Sequence, residues 1–136
     1  MPKITKYQVE VTHFTPHPQK YAMDFATASE VVNWLNLPKN VDLVLFIAAL
    51  GQSTDFGNFY LFLNKDAAAH IWLHEHREHI PCEHHACDDG NTFTFRYENG
   101  ETFEVPAREI LSRERALETL HYWLPDQNHL PTLEWL

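Results

Sequence analysis

At 136 residues, with 44% hydrophobic and 13% aromatic side chains, the chain is long enough for one core and too apolar for a disordered segment. Nineteen acidic residues against ten Lys and Arg leave a net charge of −9 with histidine neutral, which disfavours nucleic acid and anionic membrane and favours a basic protein. Two cysteines imply no disulfide framework, no apolar run follows the start as a secretory signal requires, and the longest apolar run, 43–50, is too short to cross a bilayer as a helix.

The expectation is one soluble, cytoplasmic domain over residues 1–136. An acidic balance is also the ordinary mark of a soluble protein, so charge alone does not decide between binding and mere solubility.

Residues 4–14, with Ile4, Val9, Val11 and Phe14, read as a weakly alternating strand. Thr15-Pro16-His17-Pro18 ends it, since proline cannot donate to a ladder. Thr27-Ala28-Ser29-Glu30 has the spacing of a capping box, and behind it Ala28, Val31, Val32 and Leu35 share one helical face up to Pro38. Residues 42–50 (DLVLFIAAL) are apolar after the first, the pattern of a central strand buried on both faces. Residues 56–63 (FGNFYLFL) follow as its hairpin partner. A further strand, 68–74, sets Ile71 and Leu73 on one face and His70, Trp72 and His74 on the other.

The next hairpin can be placed in register. A two-residue Asn99-Gly100 loop would set the Phe93, Phe95, Tyr97 series and the Phe103, Val105 series on opposite faces. A three-residue loop, Glu98-Asn99-Gly100, pairs Phe95 with Phe103 and Phe93 with Val105, with Gly100 left-handed in a bulge. Burial selects the second register, because one residue of slip flips a whole face. A helix over 112–124 follows, with Ala116, Leu117, Leu120, Trp123 and Leu124 on one stripe, and Pro125 stops it. The tail, 130–136, is apolar enough to dock on the core. Together these elements predict an α+β fold: an antiparallel β-sheet of about five to six strands with helices packed on one face.

Six of the ten histidines and both cysteines, Cys82 and Cys87, fall in residues 70–87 (HIWLHEHREHIPCEHHAC). Imidazole and thiolate are zinc ligands, so a small zinc-binding protein using this segment is the alternative reading. The spacing fits no finger pattern, and no metal or cofactor is expected. No nucleophile elbow, phosphate-cradling loop or His-Glu-x-x-His motif occurs, so no catalytic residue is expected and the chain is read as not an enzyme. Glu75, Glu78, Glu83, Asp88 and Asp89 surround the histidines with negative charge. With Trp72 as an aromatic anchor, and with His74 and His76 on the same stretch, they form the candidate partner-binding set.

The order of features resembles the Imm1 family of immunity proteins from bacterial polymorphic toxin systems. The apolar strand 42–50, the aromatic strand 56–63 and the strand 68–74 come first. The turn at Asn99-Gly100, Val105-Pro106, a helix containing Ala116-Leu117 and a terminal Leu133-Glu134-Trp135 follow. Residues 105–124 (VPAREILSRERALETLHYWL) carry most of the likeness, which spans residues 30–136. Where members often have a glycine after the last helix, Leu124-Pro125-Asp126 stands here. The resemblance implies a protein that binds a cognate secreted toxin domain in the cytoplasm and blocks it. Such toxins include nucleic-acid deaminases and nucleases. It implies no catalytic residues; the acidic charge is what argues against nucleic acid and membrane as partners.

Overall fold

The structure, a computed structural model, describes residues 4–14, 17–37, 40, 42–51, 57–64, 68–74, 78–82, 92–126 and 134–135. The strands are β1 (Ile4–His13), β2 (Gln19–Phe25), β3 (Leu43–Gly51), β4 (Asn58–Leu63), β5 (Ala68–His74), β6 (Glu78–His79), β7 (Pro81–Cys82), β8 (Thr92–Arg96), β9 (Thr102–Pro106), β10 (Leu111–Ser112) and β11 (Glu134–Trp135). Helix α1 (Ala28–Leu35) lies between β2 and β3, and α2 (Arg113–Asp126) follows β10. The architecture is α+β. The main sheet is antiparallel in the order β10-β5-β4-β3-β1-β2, with β6 pairing β5 at its far end from β10. Strand β3 is central, as its unbroken apolar run requires.

Cross-strand register makes the two faces of this sheet explicit. On one, Met23, Val9, Ile47, Phe59 and Leu73 form a row across β2, β1, β3, β4 and β5, beside a row of Tyr21, Val11, Leu45, Leu61 and Ile71. Both helices close this face with Val31, Leu35, Ala116, Leu120, Trp123 and Leu124. Each fully buried Leu, Ile or Phe contributes roughly 1.5–3 kcal/mol here. Phe59 and Trp123 meet with ring centroids 5.3 Å apart, which locks α2 against the sheet.

Local chemistry explains the helix ends. Thr27 Oγ1 accepts from the Glu30 backbone N–H at 3.2 Å, the cap expected from its spacing. Ser112 Oγ accepts from the Arg115 N–H at 3.1 Å, so α2 begins where its side-chain pattern says. It runs to Asp126, through Pro125 and two residues beyond the expected end. Arg113 on α2 donates to the carbonyls of Leu35 (2.7 Å) and Asn40, and so satisfies the orphan C-terminal end of α1 from another element.

Two features depart from the reading of the sequence. Strand β2, which pairs with β1 through all seven of its residues, was not foreseen. The β8–β9 hairpin does not extend the main sheet; it forms its own two-stranded sheet and stacks on the face opposite the helices. The physical reason is that β4 and β5 are apolar on both sides, so Phe62 and Trp72 also need a cover. The hairpin register itself is the expected one, Phe95 opposite Phe103 and Phe93 opposite Val105, with Gly100 at φ 88°. Of the apolar tail, Glu134–Trp135 pairs with Pro81–Cys82, and residues 130–133 and 136 lie outside the described residues. No helix among the described residues is long and apolar enough to cross a membrane.

Candidate functional site

The sheet face turned away from the helices carries two rows of its own. Ala22, Glu10, Phe46, Tyr60 and Trp72 align across five strands, and Lys20, Thr12, Val44, Phe62 and His70 align beside them. The hairpin roofs only the β4–β5 end of these rows. Phe95, Phe103 and Val105 descend onto Val44 and Phe62, and Trp72 and Tyr97 pack at the margin. The rings meet in edge-to-face and tilted pairs, among them Phe62 and Phe103 5.1 Å apart at 80° and Phe62 and Trp72 5.2 Å apart at 66°.

An ion pair holds the roof down. Arg96 Nη2 on β8 lies 2.8 Å from Asp42 Oδ2, just ahead of β3, and its guanidinium sits 4.3 Å from the centroid of the Phe14 ring. Asp42 is 2% exposed, whereas the Arg96 side chain is 39% exposed. A two-stranded ribbon is marginal by itself, so this pair and the aromatic layer fix its position.

His70 lies inside that layer, 2% exposed, with rings of Phe62, Trp72, Phe95 and Phe103 around it. Burial pushes its pKa down to about 4, against a smaller opposing effect of the Glu109 carbonyl, 3.3 Å from Nδ1. The imidazole is therefore neutral near pH 7 and serves as a core side chain.

Beyond the roof the β1–β3 end of the face is open. Here Glu10, Thr12, Lys20, Ala22, Val44, Phe46 and, from the hairpin tip, Glu98 line a groove of about 340 Å³. Its floor is apolar and aromatic, and its walls carry two carboxylates from different layers. Glu98 reaches it because the three-residue loop projects the tip over the sheet. Burial and the carboxylates of Glu98 and Glu10 raise the Tyr60 phenol above its ordinary 10.0, so the hydroxyl keeps its proton. Among the described residues neither Glu10 nor Glu98 has an ion-pair partner, while Lys6 and Asp24 on the same face pair at 3.7 Å. Carboxylates beside ring faces are the chemistry of cation recognition.

Of the residues singled out from the sequence, Trp72 is half-buried at the edge of the aromatic layer, against Tyr60, Phe62, Tyr97 and Phe103. The backbones of His74 and Glu78 pair with each other where β5 meets β6, and Cys82 lies in β7 opposite Glu134. Glu75, His76, Glu83, Cys87, Asp88 and Asp89 lie outside the described residues. Among the described residues no three His, Cys, Asp or Glu side chains gather as metal ligands would.

The groove residues Glu10, Phe46 and Glu98, and Tyr60 beside them, escaped the sequence reading. One hint was present: Tyr60 and Phe62 alternate with buried Phe59 and Leu61, which marks a strand with two covered faces. The sequence matches no protein-family model and no curated protein.

Proposed function

We propose that the chain is an immunity-type inhibitor, which binds a cognate secreted toxin domain in the cytoplasm and blocks its basic substrate groove. The observation that carries this reading is the half-roofed sheet face, where a partly aromatic floor lies open beside two carboxylates that have no ion-pair partner among the described residues. The net charge of −9 extends the same sign over the molecule and would speed encounter with a cationic surface. The likeness of residues 105–124 to Imm1 proteins points the same way. A nucleic-acid deaminase or nuclease domain suits this surface because its substrate groove is itself basic.

Under this reading the acidic stretch with Glu75, Glu78, Glu83, Asp88 and Asp89, next to Trp72, His74 and His76, shares the contact. Inhibition then needs no catalytic residue, metal or cofactor, only occlusion.

The test is co-expression with the C-terminal domain of a large secreted protein encoded beside this gene. Restored growth and a complex that survives gel filtration are the expected result; undiminished killing removes the proposal. Within such a complex, replacing Asp88 and Asp89 by lysine should slow association and flatten its dependence on salt, read by stopped flow across ionic strength. An unchanged rate would move the contact away from that stretch.

A further inference from the structure

We infer that the groove between the hairpin tip and β1–β3 is a receptor for a single arginine side chain projecting from the basic partner, an assignment that rests on the inhibitory reading for the partner's identity. At about 340 Å³ the groove has room for one side chain and is too small for a helix or strand. Glu10 stands on the sheet directly across from Phe46, and Glu98 lines the same groove from the hairpin tip, so a cation in it lies near carboxylates of both layers. Each layer contributes one, and both carboxylates act on the Tyr60 phenol, so their negative potentials overlap there.

The floor decides which cation. The Phe46 ring, backed by Tyr60 at 4.7 Å with the two rings inclined at 50°, and Val44 beside it offer an apolar surface with a ring face. A guanidinium is planar and weakly hydrated, lies on a ring face, and keeps edge donors for carboxylates on either side; an ammonium must shed a tighter water shell to do the same. Lys20, also on the rim, opposes any cation equally and does not change that preference.

The same arrangement already occurs once in the fold. Arg96, two residues before Glu98 in the chain, lies over the Phe14 ring and pairs with Asp42, a guanidinium between a ring and a carboxylate.

The experiment titrates isotope-labelled protein at low salt with acetyl-Gly-Arg-Gly-amide, with its lysine and citrulline counterparts as separate arms. The arginine peptide should give saturable shifts at the amides of Glu10, Phe46 and Glu98. Citrulline, which keeps the shape without the charge, should give none, and lysine should bind more weakly than arginine. The Glu10→Gln, Glu98→Gln double variant changes only exposed side chains, and should weaken the arginine peptide about tenfold, the scale of two partly exposed charge pairs. Phe46→Leu provides an independent variant that keeps both carboxylates and should reduce the preference for arginine over lysine.

Shifts that fail to saturate, fall elsewhere, or persist undiminished in the double variant overturn the inference. So does equal binding of the lysine peptide. The outcomes separate from those of co-expression: peptide binding without protection removes only the inhibitory reading, and protection with an indifferent groove removes only this one.

Discussion

The two faces of the main sheet are covered by different means. Toward the helices the rows are mostly aliphatic, and α1 and α2 cover them until Val9, Ile47, Leu61 and Leu73 are wholly buried. Toward the hairpin the rows are aromatic and include a histidine, and the cover is a narrow ribbon that reaches only half-way across. A complete cover adds stability and leaves nothing for a partner to touch. An incomplete one adds less, and its free edge becomes the wall of a groove.

The sharpest way to break that comparison is to truncate one side chain on each side. Leu120→Ala or Trp123→Ala should cost roughly 2–5 kcal/mol, from lost transfer energy and the cavity left behind. Phe103→Ala, whose half-buried site can relax toward solvent, should cost about 1–3 kcal/mol. Urea denaturation decides it: equal losses would mean that the hairpin closes its face as firmly as the helices close theirs.

Acid should act on the hairpin side. The folded pKa of His70, about 4, lies below the ordinary 6.5, so between those values the unfolded chain takes up a proton that the folded chain refuses. Stability from this group is intact above about pH 6.5 and falls as pH drops through the window, by roughly 3 kcal/mol in full. His70→Phe should flatten that limb of the stability–pH curve, and a limb of unchanged slope would place its origin in other groups.

A smaller loss is expected at the hairpin tip. A side chain added at Gly100 meets no atom within 4 Å, so Gly100→Val should act through its φ of 88° alone. The cost should be on the order of 1–2 kcal/mol in thermal unfolding. The smallest effect is expected from a chelator. It should leave the unfolding midpoint of metal-free-purified protein where it was, because a structural zinc would couple directly to folding; a large downward shift would revive the zinc reading of residues 70–87.

What could be read from the sequence was what neighbours in the chain decide. The Thr27 cap, the Ser112 start, the central position of β3 and the Phe95–Phe103 register each follow from a few adjacent residues. Strand β2 was harder, because Tyr21, Met23 and Phe25 alternate over a short stretch just past two prolines, and an edge strand keeps its other face polar. The side on which the hairpin stacks depends on Val44, Phe62 and Trp72, which no local pattern links to Phe95 or Val105. The groove was the least legible feature. Glu10, Phe46 and Glu98 come from three strands or turns far apart in the chain, and none has a chemistry that stands out until β1 has paired with β3 and the hairpin has come down over them.

The cap that Arg113 places on α1 also bears on the order in which the domain assembles. An eight-residue helix is well below the length that persists alone in water, and its last carbonyls at Leu35 wait for a guanidinium 78 residues later. The Tyr7 hydroxyl waits longer still, for the Leu124 carbonyl at 2.6 Å and a separation of 117 residues. Such distant closures slow folding, since the loop entropy is lost before the contact is gained. On the ribosome the strands can pair early, but the helix-side core stays open until α2 emerges and docks. Cleavage within the connection from β9 to α2 should therefore unfold α1 as well, although α1 lies in the other half of the chain.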